Sequence, residues 1–353
     1  MLALQRSLPP MLVPNSVLLT AAFAQKTTQG LLSALEMHIP SLSGLQNFFL
    51  DNNGKIRTAL GIAVALNLIR WVNRFLNDIA RNSWRASPPS NWIWSNEIAV
   101  VTGGSGGIGM TVVDKLIKKG LRVAVLDLKD PPEAFKDQPR ILFYKCDITK
   151  PDEVAAAAKE IRTSISHPTI LINNAGICRP CRILDASAEG LLQTFSVDTL
   201  AHWFTVQQFL PDMIKNNKGH IVTVASAASF LALPRCSDYS GSKSAAGAFH
   251  DVLASELKYF YHAPNVITNA VHTQFVRTPI IQDIQKRLDE EGQNILESDF
   301  VGEKIVERLE SKRGGVLVLP ESRSFLSAVS AWPAWMQGIV RDKYGRASAK
   351  RNE

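Results

Sequence analysis

Thr102-Gly103-Gly104-Ser105-Gly106-Gly107-Ile108-Gly109 is the stretch that decides how this chain is read. It follows the apolar run Glu97–Thr102, which reads as a strand, and opens into Gly106–Lys119, which reads as a helix. Glycines let the backbone turn tightly and come close to a phosphate. A helix N-terminus adds free N–H groups and the positive end of its dipole. Gly103, Ser105, Gly107, Ile108 and Gly109 are therefore candidates for cradling a pyrophosphate. A bare tight turn would use the same glycines, and the strand–turn–helix context favours the phosphate. The next strand, Arg122–Asp127, ends 24 residues beyond Gly103. A carboxylate at Asp127 can accept from both ribose hydroxyls and would repel a 2′-phosphate. The expected cofactor is NAD(P)(H). Asp127 favours NAD, while Lys129 and Lys145 keep NADP open.

Working outward, short apolar strands alternate with helices. Strands are expected at 141–145, 169–173, 220–225, 265–271 and 316–319, and helices at 152–164, 198–215 and 238–260. This alternation means a parallel sheet covered on both faces, an α/β doubly wound architecture. Tyr239 and Lys243 stand four apart on a predicted helix and so share one face. A phenol titrates near 10, too high for acid–base work at neutral pH. An adjacent ammonium favours phenolate, and Tyr239 can then exchange a proton with an alcohol or carbonyl. Ser226 lies 13 residues earlier, just past a strand, where its hydroxyl can polarise a substrate oxygen. Ser229, Ser237, Ser240 and Ser242 compete for that role.

The glycine turn, Asn173-Asn174-Ala175-Gly176 after a strand, and Tyr239-Ser240-Gly241-Ser242-Lys243 recur in order over roughly 97–320. Together they resemble the short-chain dehydrogenase/reductase family. The resemblance implies a single Rossmann-fold domain with seven parallel strands, and its spacing selects Ser226. It implies that Asp147 and Ile148 lie at the adenine and that Asn174, Ala175 and Gly176 line the cofactor. Lys243 would also hold the nicotinamide ribose. Val276 and Thr278 match positions that hold the nicotinamide carboxamide. Two departures stand out. Asp198 occupies a place where the family commonly has Asn, which helps hold a relay water; aspartate adds a charge and loses a donor. The loop after the strand near Val271 reads Thr273-Gln274-Phe275 where Pro-Gly is usual.

The net charge of +7 is uneven: residues 1–95 carry +5, residues 321–353 carry +3 and the centre −1. A nucleic-acid reader would carry its excess on the folded domain, so no nucleic-acid partner is expected. Basic flanks beside apolar segments suit an anionic membrane surface. Residues 1–90 read as a hydrophobic, basic anchoring extension, 91–320 as the catalytic domain and 321–353 as an amphipathic basic tail. Residues 1–55 are apolar and broken by Pro9, Pro10, Pro14 and Pro40, with Arg6 and the run Val17–Ala24 weakly mimicking a targeting signal. Residues 58–69 form an apolar run too short to span a bilayer. The pattern then turns amphipathic, so 58–81 reads as a membrane-inserted or interfacial helix. The tail 325–340, with two tryptophans and basic residues behind it, reads as a second interfacial segment.

Four cysteines exclude a disulfide scaffold, and Cys178-Arg179-Pro180-Cys181 lacks a second ligand pair, so no metal site is expected. The scattered histidines include His202, read as a core or supporting residue. No Gly-x-Ser-x-Gly elbow points to a hydrolase. The flanks and the run Gly219–Ser226 resemble the retinol-dehydrogenase-like, membrane-associated (16C-type) branch of the family. That branch implies a lipophilic alcohol or carbonyl as substrate and a membrane surface, of endoplasmic reticulum or lipid droplet, with the catalytic domain facing the cytosol. It leaves a homodimer open. A reductase of a specialised, polyketide-like metabolite and a catalytically impaired cofactor-binding scaffold are the competing readings.

Overall fold

The computed structural model describes residues 53–82, 84, 89 and 91–349. The expectations for residues 1–52 lie outside the described residues. Two compact units divide the chain after Ala80.

In the first unit, helix α1 (Asn53–Arg81) is continuous over 29 residues. It is longer than the twelve-residue apolar run. The polar side chains inside it do not break it, because they bond one turn back. Asn67 Nδ2 donates to Ala63 O at 2.9 Å and Thr58 Oγ1 to Gly54 O at 3.0 Å. Ile62, Leu66, Ile69, Val72, Phe75 and Leu76 are exposed on it. Among the described residues one helix is long and apolar enough to cross a membrane, over Thr58–Asn77. Twenty helical residues rise about 30 Å, the thickness of a bilayer core.

The second unit is built on a seven-stranded, wholly parallel sheet. Its strands are β1 (Ile98–Thr102), β2 (Arg122–Asp127), β3 (Ile141–Lys145), β4 (Ile170–Asn173), β5 (Gly219–Ser226), β6 (Val266–Thr273) and β9 (Gly315–Leu319). A short separate pair joins β7 (Val276–Arg277) to β8 (Leu296–Glu297). The order β3-β2-β1-β4-β5-β6-β9 reverses direction between β1 and β4. In sheets of this order, ligands generally bind at such a reversal, outside the carboxyl ends of the strands.

Side-chain alternation along the strands fills two cores. Ala99, Val101, Val123, Val125, Ile170 and Ile172 face α2 (Gly107–Lys118) and α8 (Ser298–Ser311). Val100, Ala124, Leu126 and Leu171 face α3 (Pro151–Ser164), α5 (Ala201–Lys215) and α6 (Ser237–Tyr259). The helix expected from 198 begins earlier, as α4 (Ala188–Phe195), and passes through a π turn at Ser196–Leu200 into α5. The charge-rich segment 277–312 holds α7 (Gln282–Glu290) and α8 around β8. The tail forms a 3-10 run, Glu321–Ala331, and α9 (Ala334–Ala349). It is partly committed to the domain. Leu326 and Val329 are buried with Leu231, and Leu233, Trp332, Val340 and Tyr344 pack around them. Phe325, Trp335 and Ile339 stay exposed.

At the opposite end of the sheet, Glu97 is buried with its carboxylate fully engaged. It accepts from Lys218 Nζ at 2.7 Å, Thr169 Oγ1 at 2.6 Å and Ile93 N at 3.1 Å. Removing one partner of a buried ion pair leaves the other charge uncompensated. Lys218→Ala is expected to lower stability by about 3 kcal/mol, read as a fall in the urea midpoint, without changing turnover.

Candidate active site

The glycine turn closes over the ends of β1 and β4. Gly103 has φ +65°, and a Cβ there would stand 2.9 Å from Ala175 Cα. Gly107 has φ +53°, with Thr278 Cγ2 3.1 Å from its Cβ position. Thr102 and Asn174 join the two strand ends. Thr102 Oγ1 accepts from Asn174 N at 3.0 Å and Ala175 N at 3.1 Å. Asn174 Nδ2 donates back to Thr102 O at 3.0 Å and Gly103 O at 3.1 Å. Gly109 lies against this staple within α2, and Ile108 packs on the core.

Asp127, at the end of β2, braces the same turn. Its carboxylate accepts from Ser105 N at 2.9 Å and Lys129 N at 3.0 Å, one bond per oxygen. Asp147 lies alongside, since Cys146 N donates to Asp127 O at 3.0 Å. Its Oδ1 accepts from Thr149 N and Oγ1, at 3.0 and 2.7 Å, and Ile148 is buried beneath.

Ser226, Tyr239, Lys243 and Asp198 come together from β5, α6 and the π turn. Ser226 Oγ accepts from Ala228 N at 3.1 Å and donates to Thr273 O at 3.4 Å. Lys243 is 3% exposed and donates to Val224 O at 3.1 Å. Its Nζ lies 5.7 Å from the Tyr239 ring centroid and 3.7 Å from Asp198 Oδ2. Gly176 passes close by, with Lys243 Nζ 3.1 Å and Asp198 Oδ1 3.4 Å from where its Cβ would be.

Asp198 is fully buried. Its Oδ1 accepts from Ile177 N at 2.8 Å, and Ser242 Oγ stands 3.4 Å from Oδ2. Burial pushes its carboxyl above the usual carboxylate range, and Lys243 pulls it back. The Tyr239 phenol is held well above its usual value, first by burial and then by the Asp198 charge, while the Ser226 hydroxyl acts the other way.

The arrangement fits a nicotinamide dinucleotide. Beyond Gly106, at the N-cap of α2, nothing lies within 4 Å of a Cβ position, so the helix N-terminus is open to a phosphate. Each Asp127 oxygen keeps lone-pair capacity for a ribose hydroxyl. Lys243 keeps donors beyond its bond to Val224 O.

Several supporting groups are invisible to motif reading. The Val224 and Thr273 carbonyls and the Ile177 amide are backbone atoms from distant segments. Thr102 looks in sequence like an ordinary strand end. His202 is buried against Phe249, and burial lowers its pKa to about 3, so it is a neutral core imidazole. The Cys178 thiol is hydrogen-bonded to that of Cys236 and is held above the usual thiol range. Among the described residues no group of three or more His, Cys, Asp or Glu could hold a metal ion.

Comparison with known proteins gives one family. The short chain dehydrogenase model matches residues 97–289. Dehydrogenase RED2 of Cochliobolus heterostrophus is 38% identical over 214 residues, covering 61% of this chain and 80% of its own. Estradiol 17-beta-dehydrogenase 11 of Pongo abelii is 30% identical over 67% of this chain and 78% of its own. Retinol dehydrogenase 10-B of Danio rerio is 39% identical over a shorter stretch, 34% of this chain and 36% of its own. The solved Thermoplasma acidophilum aldohexose dehydrogenase shares the fold, with a TM-score of 0.57 and 24% identity over 63% of this chain and 92% of that one. With its strand order, glycine turn and Tyr239/Lys243 pair in place, the chain belongs to the short-chain dehydrogenase family, whose members are NAD(P)-dependent oxidoreductases of CH–OH groups.

Proposed function

We propose that the protein interconverts a lipophilic alcohol and its ketone or aldehyde at a membrane surface. The observation that carries the chemistry is the convergence of Tyr239, Ser226 and Lys243 beside the glycine turn. The apolar length of α1 and the exposed Phe325, Trp335 and Ile339 support a lipid environment. Similarity to proteins named for estradiol and retinol supports the substrate class. Basic residues in the flanks support an anionic membrane surface, with endoplasmic reticulum or lipid droplet as the proposed location. Exposed Leu200, Trp203 and Val252 on the helices of one face support a homodimer.

When bound, the nicotinamide supplies or accepts the hydride. Ser226 Oγ donates to the substrate oxygen and fixes it beside Tyr239. The Tyr239 hydroxyl gives its proton to that oxygen in reduction and takes it back in oxidation. Lys243 steadies the phenolate and holds the ribose. Gly103–Gly109 and Asn174–Gly176 would hold the dinucleotide, Asp147 and Ile148 would flank the adenine, and Val276 and Thr278 would meet the carboxamide. The Asp127 carboxylate supports NAD over NADP. Asp198 favours a second reading, a scaffold that binds cofactor without turnover. Its charge opposes formation of the phenolate that oxidation requires.

The test is hydride transfer by the detergent-solubilised full chain with NAD(H) and NADP(H), over retinoid, sterol, long-chain and small carbonyl or alcohol substrates. Turnover of a lipophilic compound is expected, with Tyr239→Phe lowering kcat by about 10²–10⁴-fold. Cofactor binding with no turnover of any compound would favour the scaffold.

The pH dependence carries a sign. The phenol is held high, so Tyr239 is protonated at neutral pH in the free protein. Reduction is therefore expected to be level near neutrality and oxidation to rise toward alkaline pH. Asp198→Asn removes a negative charge that disfavours phenolate. Its oxidation profile should move to lower pH; a profile that stayed in place or moved up would contradict this electrostatic role.

A further inference from the structure

The loop joining β6 to β7 meets both halves of the site. At its start, the Thr273 carbonyl accepts from Ser226 Oγ at 3.4 Å. At its end, Thr278 packs against Gly107 of the phosphate turn. Gln274 lies between, where the family usually has the glycine of Pro-Gly. A proline ring fixes its own φ and stiffens a loop. Thr273-Gln274 has no such device, so its shape must be held from outside.

Two bonds hold it. Gln274 N donates to Leu319 O at 3.1 Å. Arg323 donates from its guanidinium to Gln274 Oε1 at 2.7 Å, with both side chains half-buried. Arginine has no acceptor, so Gln274 must present its oxygen, and the loop orientation is thereby specified. The bond is charge-assisted, the stronger kind. Arg323 is itself fixed. Its N–H donates to Pro320 O at 2.9 Å, and Leu326 and Val329 just beyond it are buried against Leu231.

We propose that Arg323 is a positioning residue of the cofactor site. Through Gln274 it holds the loop so that Val276 and Thr278 face the nicotinamide. The C-terminal segment thereby becomes a working part of the site. This rests on the reading of Val276 and Thr278 as nicotinamide contacts.

The experiment measures NADH and NADPH Kd by fluorescence titration, with KM and kcat, on the solubilised full chain. Arg323→Met is expected to raise cofactor Kd and KM about tenfold, with kcat changed by less than about twofold. In a Thr273→Pro/Gln274→Gly background, where the loop holds itself, the same substitution should raise Kd by less than about twofold. An unchanged Kd in Arg323→Met overturns the proposal. So does an equal penalty in both backgrounds, or a loss of kcat and thermal stability with no separate effect on cofactor. Should the Pro-Gly variant not fold, Gln274→Met and Arg323→Met, singly and together, form a cycle. The double variant should be no worse than either single, and additive penalties overturn the brace. Thr278→Val separates the underlying reading: an unchanged Kd there sinks the nicotinamide contact, whereas the Arg323 variants decide the brace.

Discussion

Parallel strands end with their C-terminal carbonyls and side chains facing a common rim, and where the strand order reverses two neighbouring ends have no crossover covering them. In this protein those ends belong to β1 and β4, and the Thr102–Asn174 bonds hold them together. The rest of the site is referenced to that staple. Gly103 makes its left-handed turn where no side chain would fit, since a Cβ there would stand 2.9 Å from Ala175 Cα. Gly176 then passes directly over Lys243 and Asp198, which places the ends of β4 and α6 within reach of one small molecule.

The cluster of Ser226, Tyr239, Lys243 and Asp198 shows how burial and charge divide the work. A fully buried carboxylate and a nearly buried ammonium, 3.7 Å apart, would each be costly alone. Each also has a neutral partner, the Ile177 amide for Asp198 and the Val224 carbonyl for Lys243. The π turn at Ser196–Leu200 is the local device that brings the aspartate there. A π turn shifts the side chains after it relative to those before, and such turns often occur at functional sites. The same charge that balances Lys243 raises the phenol of Tyr239, so the pair cannot be tuned separately.

What was legible in the sequence was what depends on short spacing. The strand–turn–helix around Gly103–Gly109, the four-residue step from Tyr239 to Lys243 and the alternation of β1 and β2 are all local, and local periodicity records them. The helix expected over 58–81 extends back to Asn53, a start hidden because the polar Asn53-Gly54-Lys55 carries no apolar periodicity. The start of the helix carrying Asp198 was placed too late, because a π turn leaves no composition signal. The brace from Arg323 joins residues 49 positions apart in sequence and has no motif at all. The tail reads as an interfacial segment in sequence, and its packing on the domain is hidden because Leu326 and Val329 look like their exposed neighbours until Leu231 is seen beneath them.

On the proposed reading of Asp127 as the ribose partner, cofactor choice and fold are linked at this residue. Its two oxygens already accept from Ser105 N and Lys129 N. A substitution made to admit a 2′-phosphate would therefore remove more than a negative charge. It would also release two backbone donors that shape the phosphate turn. A neutral residue of similar reach, such as asparagine, keeps only one acceptor oxygen and would have to leave one of them unpaired or turn a donor toward it. Under that proposal, discrimination at Asp127 is bound to the geometry of Gly103–Gly109. Lys129 and Lys145 stand close to Asp127 in the chain, and Lys145 is paired with Asp130 at 3.3 Å. A phosphate entering there would compete with that carboxylate for the lysine as well as with Asp127 for space.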